Sequence, residues 1–329
     1  AKGDDRLNVD SKLFQVLSDN ELFAIMHAVF GNEEIRRAEL LEGGLFNTTY
    51  RVETSVHDVV LRMGPVHREL LLPFERNLME AEAYVDRLCL NYGIPASRVL
   101  CCDTSRRVVD RDYMVVEYID SIPMSDPAIP ENALYELSVS CGYWMRRMHA
   151  VTGKKFGRVS DILKGMGKDT WGEAVLAEFR RLIETSEKFA GFEPDFIKRA
   201  YTFAEEALPL LNRVLVSRLA HADLWKGNVL VKEMQDGQYE VQAIIDGDRA
   251  VFGDVAFDLD SPWMVDDAFL KGYGERSEPF SLEEKRQKQK VYRLLFALTD
   301  AYVWRIQYCN EENHQHCLAE AKSILAGRI

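Results

Sequence analysis

Residues 228–246 constrain the fold of this chain more than any other stretch. The runs NVLVKEMQ and QYEVQAIID stand on either side of Asp236-Gly237, a dipeptide suited to the tight turn of a β-hairpin. Pairing about that turn sets Asn228 opposite position 245 and places Asp246 beside it. Immediately upstream, HADLWKGN crowds a histidine, an aspartate, a tryptophan, a lysine and an asparagine into one loop that runs straight into Val-Leu-Val. Asp223, Asn228 and Asp246 should therefore converge at the open end of the hairpin. Hard oxygen ligands of this kind suit Mg²⁺, which takes one or two carboxylates together with waters and phosphate oxygens. A carboxylate left free of the metal can accept a hydroxyl proton. These are the parts that phosphoryl transfer requires.

Around this hairpin the hydrophobic period changes along the chain. LFQVLSDNELFAIMHAVFG, from about Ser11 to Gly31, has helical spacing, with Ser18 or Asp19 as a cap for its second part. AELLEGGLFNTTYRVETSVHDVVLRMG then breaks into short β-branched runs separated by Gly43-Gly44 and SVHD, the pattern of antiparallel strands. FERNLMEAEAYVDRLCLNYG returns to a helix that stops at Gly93, and SRVLCCD and YMVVEYI read as two further strands. The segment DSIPMSDPAIPEN carries three prolines and suits a connection between lobes. Beyond it the chain is mostly helical, including a long amphipathic helix at about 282–309. The reading is an α+β fold: a small lobe of strands with one main helix over 1–119, with an N-terminal helical extension, and a larger, mostly helical lobe over 120–329 that holds the hairpin.

Composition narrows the function. The 329 residues include 53 acidic and 41 basic side chains, a net charge of −12 without a long basic run, which argues against nucleic acid as a partner. No apolar run reaches the roughly 18 residues needed to cross a bilayer, and the six cysteines form no CxxC pair, as expected of reduced thiols. A cytoplasmic location and no membrane partner follow as expectations. The oligomeric state is not readable from the sequence.

HADLWKGN resembles the HGDLxxGN catalytic loop of the aminoglycoside phosphotransferase and choline kinase family, a distant relative of protein kinases. That resemblance implies a protein-kinase-like two-lobe fold with Asp223 as catalytic base and Asn228 and Asp246 as magnesium ligands. Ala222 replaces the usual glycine of the loop, and Gly247 replaces the aromatic residue that usually follows the metal-binding aspartate. GDVAFDLD resembles the family's GDPxxDLA segment, with Asp258 bracing the loop. His221 is expected to pin the loop rather than to react, and His149 in MRRMHAV to be structural. Lys226 is open to a phosphate contact or to solvent, and Trp225 to packing or to a substrate wall.

GGxxNxxYRV followed by VLR resembles the family's nucleotide loop. It implies that Gly43, Gly44 and Asn47 approach the phosphates of ATP or GTP and that Arg62 grips them. Glu82 is the carboxylate expected to orient Arg62, with Glu80 the second choice. The backbone at Glu117 and Ile119 would meet the nucleobase edge. For the acceptor, position alone names Trp263, Asp266, Asp267, Asp300, Tyr302 and Trp304, an acidic and aromatic set that suits an amine-bearing molecule. The implied activity is transfer of the γ-phosphate to a hydroxyl of a small cationic molecule, an aminoglycoside-type antibiotic foremost. A choline or amino-sugar kinase and an inactive nucleotide-binding regulator are the alternatives. A protein kinase lacks support because no APE-like anchor follows Asp246, and a metal hydrolase would leave Asp246 and the small lobe without a task.

Overall fold

The computed structural model describes residues 11–41, 45–189, 191–260, 263–275 and 279–327. Helix α1 (Asp19–Phe30) begins at Ser18, whose side chain accepts from the Glu21 amide while the Glu21 carboxylate accepts from the Ser18 amide. This capping box fixes the start of the helix. Residues 11–17 are not helical despite their spacing, because their backbone is engaged elsewhere. Lys12 N–H donates to the Gln307 carbonyl, Leu17 N–H to the Tyr50 hydroxyl, and Leu13 is fully buried.

Strands β1 (Ile35–Leu41), β2 (Thr48–Thr54) and β3 (Asp58–Met63) form an antiparallel meander. Burial along β2 alternates at every residue, so Tyr50 and Val52 face inward. After helix α2 (Leu78–Asn91), strands β4 (Val99–Asp103) and β5 (Tyr113–Glu117) complete a five-stranded sheet in the order β1-β2-β3-β5-β4.

The remainder runs through β6 (Ile122–Pro123), α3 (Glu131–Met148), β7 (Gly157–Arg158), α4 (Val159–Ile162), α5 (Trp171–Phe189), α6 (Pro194–Glu206), α7 (Leu208–Leu211) and β8 (Arg218–Ala220). It continues with the hairpin β9 (Val229–Glu233) and β10 (Tyr239–Ile244), then β11 (Val251–Gly253), α8 (Ala256–Leu259), α9 (Asp267–Tyr273), α10 (Leu282–Tyr302) and α11 (Glu311–Leu325). Two small sheets, β10-β9-β6 and β7-β11-β8, stand among these helices. The long C-terminal helix does not run on to 309: α10 ends in a π turn at Val303–Gln307, an irregularity that re-aims the residues after it.

The helical core is built around Trp171, Phe179, Tyr292 and Leu298, and it also takes in Leu13, Leu71, Leu72 and Phe74 from the N-terminal region. The stretch between β3 and α2 is thus packed against the C-terminal helices. Tyr302 O–H and Gln307 Nε2 both donate to the Leu70 carbonyl, at 3.0 and 3.2 Å. Inside this core Trp171 donates to Tyr292, and Tyr292 and the buried Lys288 both donate to Asp254. A buried ammonium is tolerated only with such partners.

Candidate active site

The hairpin turn is closed by Gly237 N–H donating to the Met234 carbonyl, with Gly237 at φ +79°. The pairing slips once between Val241 and Ala243, and at the open end Ile245 N–H donates to the Asn228 carbonyl at 2.9 Å. Asn228 is buried, and its Nδ2 donates to the Asp223 carbonyl at 2.9 Å. That bond fixes the amide and turns Oδ1 away from the loop. Asp223, Asn228 and Asp246 are accordingly gathered where the sequence put them.

Behind the loop stands Asp258. Its carboxylate accepts from His221 N–H at 2.6 Å, from Ala222 N–H at 2.7 Å and from His149 Nε2 at 2.9 Å. Burial acts to raise its pKa, yet His149 and the loop amides hold it below the ordinary aspartate value. His221 Nε2 donates to the Ile245 carbonyl at 2.9 Å, which ties the loop to the hairpin. Ala222, in the place of the usual glycine, has φ +63°, a left-handed conformation that strains an L residue. The bonds that its own amide and the His221 amide donate to Asp258 hold it there. His149 also shares a hydrogen bond with the Tyr273 hydroxyl, in keeping with a structural role.

In front of the loop, Arg62 on β3 bonds Glu82 of α2 through Nη1 and Asp246 through Nη2. Burial lowers the guanidinium pKa, but Asp246 and Glu82 more than offset it, so the net shift is upward. Glu82 is the carboxylate that meets Arg62. Glu80 points elsewhere, to Thr104 and Lys164. One helical turn beyond Glu82 lies Asp86, whose carboxyl burial pushes up to about 8. Gly247 presses against α2 at this point, since a Cβ there would lie 2.8 Å from a Val85 methyl, which accounts for glycine in place of an aromatic residue.

Asp223 is solvent-exposed on its open side, although neighbouring protein takes away part of its hydration. That loss of hydration pushes its carboxyl up to about 7; Arg249 works against the rise, and Asp246 and Asp300 add to it. Asp300, near the end of α10, is likewise pushed up by lost hydration to about 6, against the pull of Arg249. Both carboxyls thus feel the charge of Arg249, and both are exposed at the surface. Trp304 lies one helical turn beyond Asp300, half-buried, with its ring edge-on to Tyr308 at 5.4 Å.

The other acceptor candidates have different tasks. Tyr302 is fully buried with its hydroxyl committed to Leu70. Asp266 caps α9 through the Phe269 amide and accepts from Ser138. Asp267 is exposed in the first turn of α9, and Trp263 is 76% exposed. Position in the sequence could not separate these from Asp300 and Trp304. Asn47, half-buried, leads into β2, while Gly43 and Gly44 lie outside the described residues. Glu117 N–H donates to the Arg98 carbonyl and Ile119 follows at the lobe connection. A separate cavity of about 630 Å³ between the start of α6 and α11 is lined by none of these residues.

Sequence reasoning missed Arg249 and Glu75. Arg249 Nη2 lies 3.3 Å from Glu75 Oε1, on the segment between β3 and α2. A signal for Arg249 existed, since it stands three residues after Asp246 in IIDGDRA. Nothing local marked Glu75, which looks like any acidic residue of an exposed helix start and is in fact 2% exposed.

Among the described residues no group of three or more His, Cys, Asp or Glu side chains is arranged to hold a metal. Asn228 Oδ1 and the Asp246 carboxylate instead offer the sparse donor set that Mg²⁺ accepts when phosphates complete its shell. Among the described residues no helix is long and apolar enough to cross a membrane, and all six cysteines are free.

A half-buried arginine on β3, facing a loop with an aspartate and an asparagine braced from behind, is the arrangement expected of a kinase-like phosphotransferase site. The model of the phosphotransferase enzyme family known as APH matches residues 37–315, and the chain belongs to that family. It is a small-molecule phosphotransferase of protein-kinase-like fold. Solved structures agree with the fold. Aminoglycoside phosphotransferase APH(4)-Ia, as a thermostable mutant with AMP-PNP and hygromycin B, superposes with a TM-score of 0.64 at 17% identity, over 94% of this chain and 98% of that one. A protein assigned as a fructosamine-3-kinase from Thermobifida fusca gives a TM-score of 0.62 at 19% identity, over 94% and 100%. The GDP and kanamycin complex of an APH(2") enzyme gives 0.62 at 14%, over 94% and 99%. No curated protein sequence matches the chain.

Proposed function

We propose that this protein transfers the γ-phosphate of ATP or GTP to a hydroxyl group of a small, amine-bearing molecule. The observation that carries the reading is the braced loop: Asp258 holds its backbone from behind through the His221 and Ala222 amides, and Asn228 Nδ2 donates to the Asp223 carbonyl, so that the Asp223 carboxylate is presented on the open side. Asp223 is the base that receives the acceptor hydroxyl's proton and aligns its oxygen. Asp300 sets a charged group of the acceptor, with the Trp304 ring as a wall. Arg62 holds the nucleotide phosphates and is itself held by Glu82, giving up Asp246 when nucleotide enters. Asn47 and the glycine pair approach the phosphates, and the Glu117 carbonyl and Ile119 amide meet the base.

Asn228 and Asp246 are the residues that would hold Mg²⁺, which when bound neutralises phosphate oxygens. Most of the acceleration is then positioning and charge neutralisation. The likeness to structures bearing hygromycin B and kanamycin favours an aminoglycoside-type acceptor and a resistance role. The likeness to fructosamine-3-kinases favours a sugar amine as the second reading. Choline ranks below both, and a cytoplasmic location fits all three. An inactive regulator would be expected to lack the base or a ligand, and Asp223, Asn228 and Asp246 are all present. The test is ADP release from Mg²⁺-ATP and Mg²⁺-GTP with hygromycin B, kanamycin, fructosyl-lysine and choline. Turnover with an amine-bearing acceptor supports the proposal, and nucleotide binding without transfer to any of them favours the regulator.

A further inference from the structure

We infer that Glu75 is a positioning residue for the transfer reaction, acting through Arg249. The inference rests on the reading of Asp223 as the base. Glu75 is buried on the segment between β3 and α2, and both of its oxygens are assigned. Oε2 accepts from Leu72 N–H at 2.9 Å and from Gln307 Nε2 at 2.6 Å, while Oε1 faces Arg249 Nη2 at 3.3 Å. Gln307 is fully buried in the π turn after α10, and its backbone carbonyl accepts from Lys12 N–H. Arg249 is also held through its own carbonyl by Arg158 Nη1 at 2.8 Å, and its guanidinium lies 5.8 Å from the Phe74 ring centre.

Arg249 stands in the turn that directly follows the hairpin, three residues after Asp246, and its charge reaches the carboxyls of Asp223 and Asp300. An arginine has several rotatable bonds, and without an anchor its guanidinium would distribute among those acids. A carboxylate fixed on one side by two donors presents its other oxygen to Arg249 in a set direction. The glutamate comes from the N-terminal half of the chain, Gln307 from the C-terminal helices and Arg249 from the catalytic hairpin's end. Glu75 thus joins three regions at the point where charge beside the base is set.

The isosteric change Glu75→Gln separates this role from simple structural support. In that variant the amide oxygen still accepts from Leu72 and Gln307, so the segment stays docked, and the amide nitrogen is left facing Arg249, donor against donor. The readout is kcat and KM for Mg²⁺-ATP, with water as acceptor, for Glu75→Gln, Arg249→Gln and the double variant. A positioning role predicts a kcat loss of about tenfold for Glu75→Gln with KM nearly unchanged, and no further loss when Glu75→Gln is added to Arg249→Gln. Unchanged kcat in Glu75→Gln, or losses that multiply in the double variant, would overturn the inference. If Glu75→Gln does not fold, Gln307→Met, which removes one donor to Glu75, is subject to the same comparison: its kcat loss has to vanish on the Arg249→Gln background. Asp223→Ala is the parallel control, for turnover that survives it removes the base assignment itself and leaves the Arg249 coupling to be read separately.

Discussion

The two sides of the catalytic loop are built differently. Behind it, Asp258 accepts from His221, Ala222 and His149, so the carboxylate that braces the loop has its partners in place. In front, Arg62 Nε, Glu82 Oε2 and Asp86 Oδ2 are buried without hydrogen-bond partners, against a single such atom behind, His221 Nδ1, and several like charges crowd one arginine. A satisfied network is rigid, whereas buried polar atoms without partners are costly and mark a place that a ligand can complete. The rear holds geometry; the front is poised for charge to arrive.

The largest effect should come from breaking the rear. Asp258→Ala leaves two loop amides and His149 without their acceptor, and unfolding in urea should show a loss of about 3–5 kcal/mol. A loss below about 1 kcal/mol would mean that the bracing is decorative. The same residue gives a pH signature. Its folded pKa lies below the ordinary 3.8, so its contribution is complete above that value and disappears as pH falls through the lower folded one. Wild type should therefore lose more stability on acidification below about pH 4 than Asp258→Asn does.

At the front the sign reverses. The Asp86 carboxyl is raised from 3.8 to about 8, so the folded protein keeps a proton that the unfolded chain releases between those values. Its cost is absent at pH 3 and grows as pH rises toward 8. Asp86→Asn should therefore be stabilising by about 1–2 kcal/mol at pH 8 and near neutral at pH 3. Thermal unfolding at the two pH values decides it, and destabilisation at pH 8 would show that the ionised carboxylate is needed. The smallest effect sharpens the rear again. Ala222→Gly relieves left-handed strain but adds freedom to the unfolded chain, so the net gain should be only about 0.5 kcal/mol. A clear loss would show that the alanine methyl packs usefully.

Local sequence carried the parts that depend on short-range chemistry. Asp236-Gly237 announced the hairpin, and the oxygen-bearing residues at its open end were visible because strand pairing is periodic. Ser18, one of two candidate caps with Asp19, marks the start of α1. Residues 11–17 misled, since their apolar residues are shared out: Leu13 enters the core of the C-terminal helices, and Leu17 packs against the N-terminal sheet. Glu75, Asp86 and the π turn were not legible, because each is defined by what arrives from a distant part of the chain. For the acceptor side, Asp300 and Asp266 look alike in sequence. Asp300 is exposed near the end of α10 and adds to the charge that Asp223 feels, whereas Asp266 is committed to capping α9.

The central claim is that Asp223 performs the transfer on a loop whose geometry does not depend on it. Asp223→Asn keeps the size of the side chain and leaves the Asn228 bond to the residue 223 carbonyl available. The decisive measurement is Mg²⁺-ATP affinity by calorimetry alongside ADP release with the best acceptor. The account predicts affinity within about threefold of wild type and turnover reduced by at least about a hundredfold. Retained turnover with the asparagine in place would contradict it.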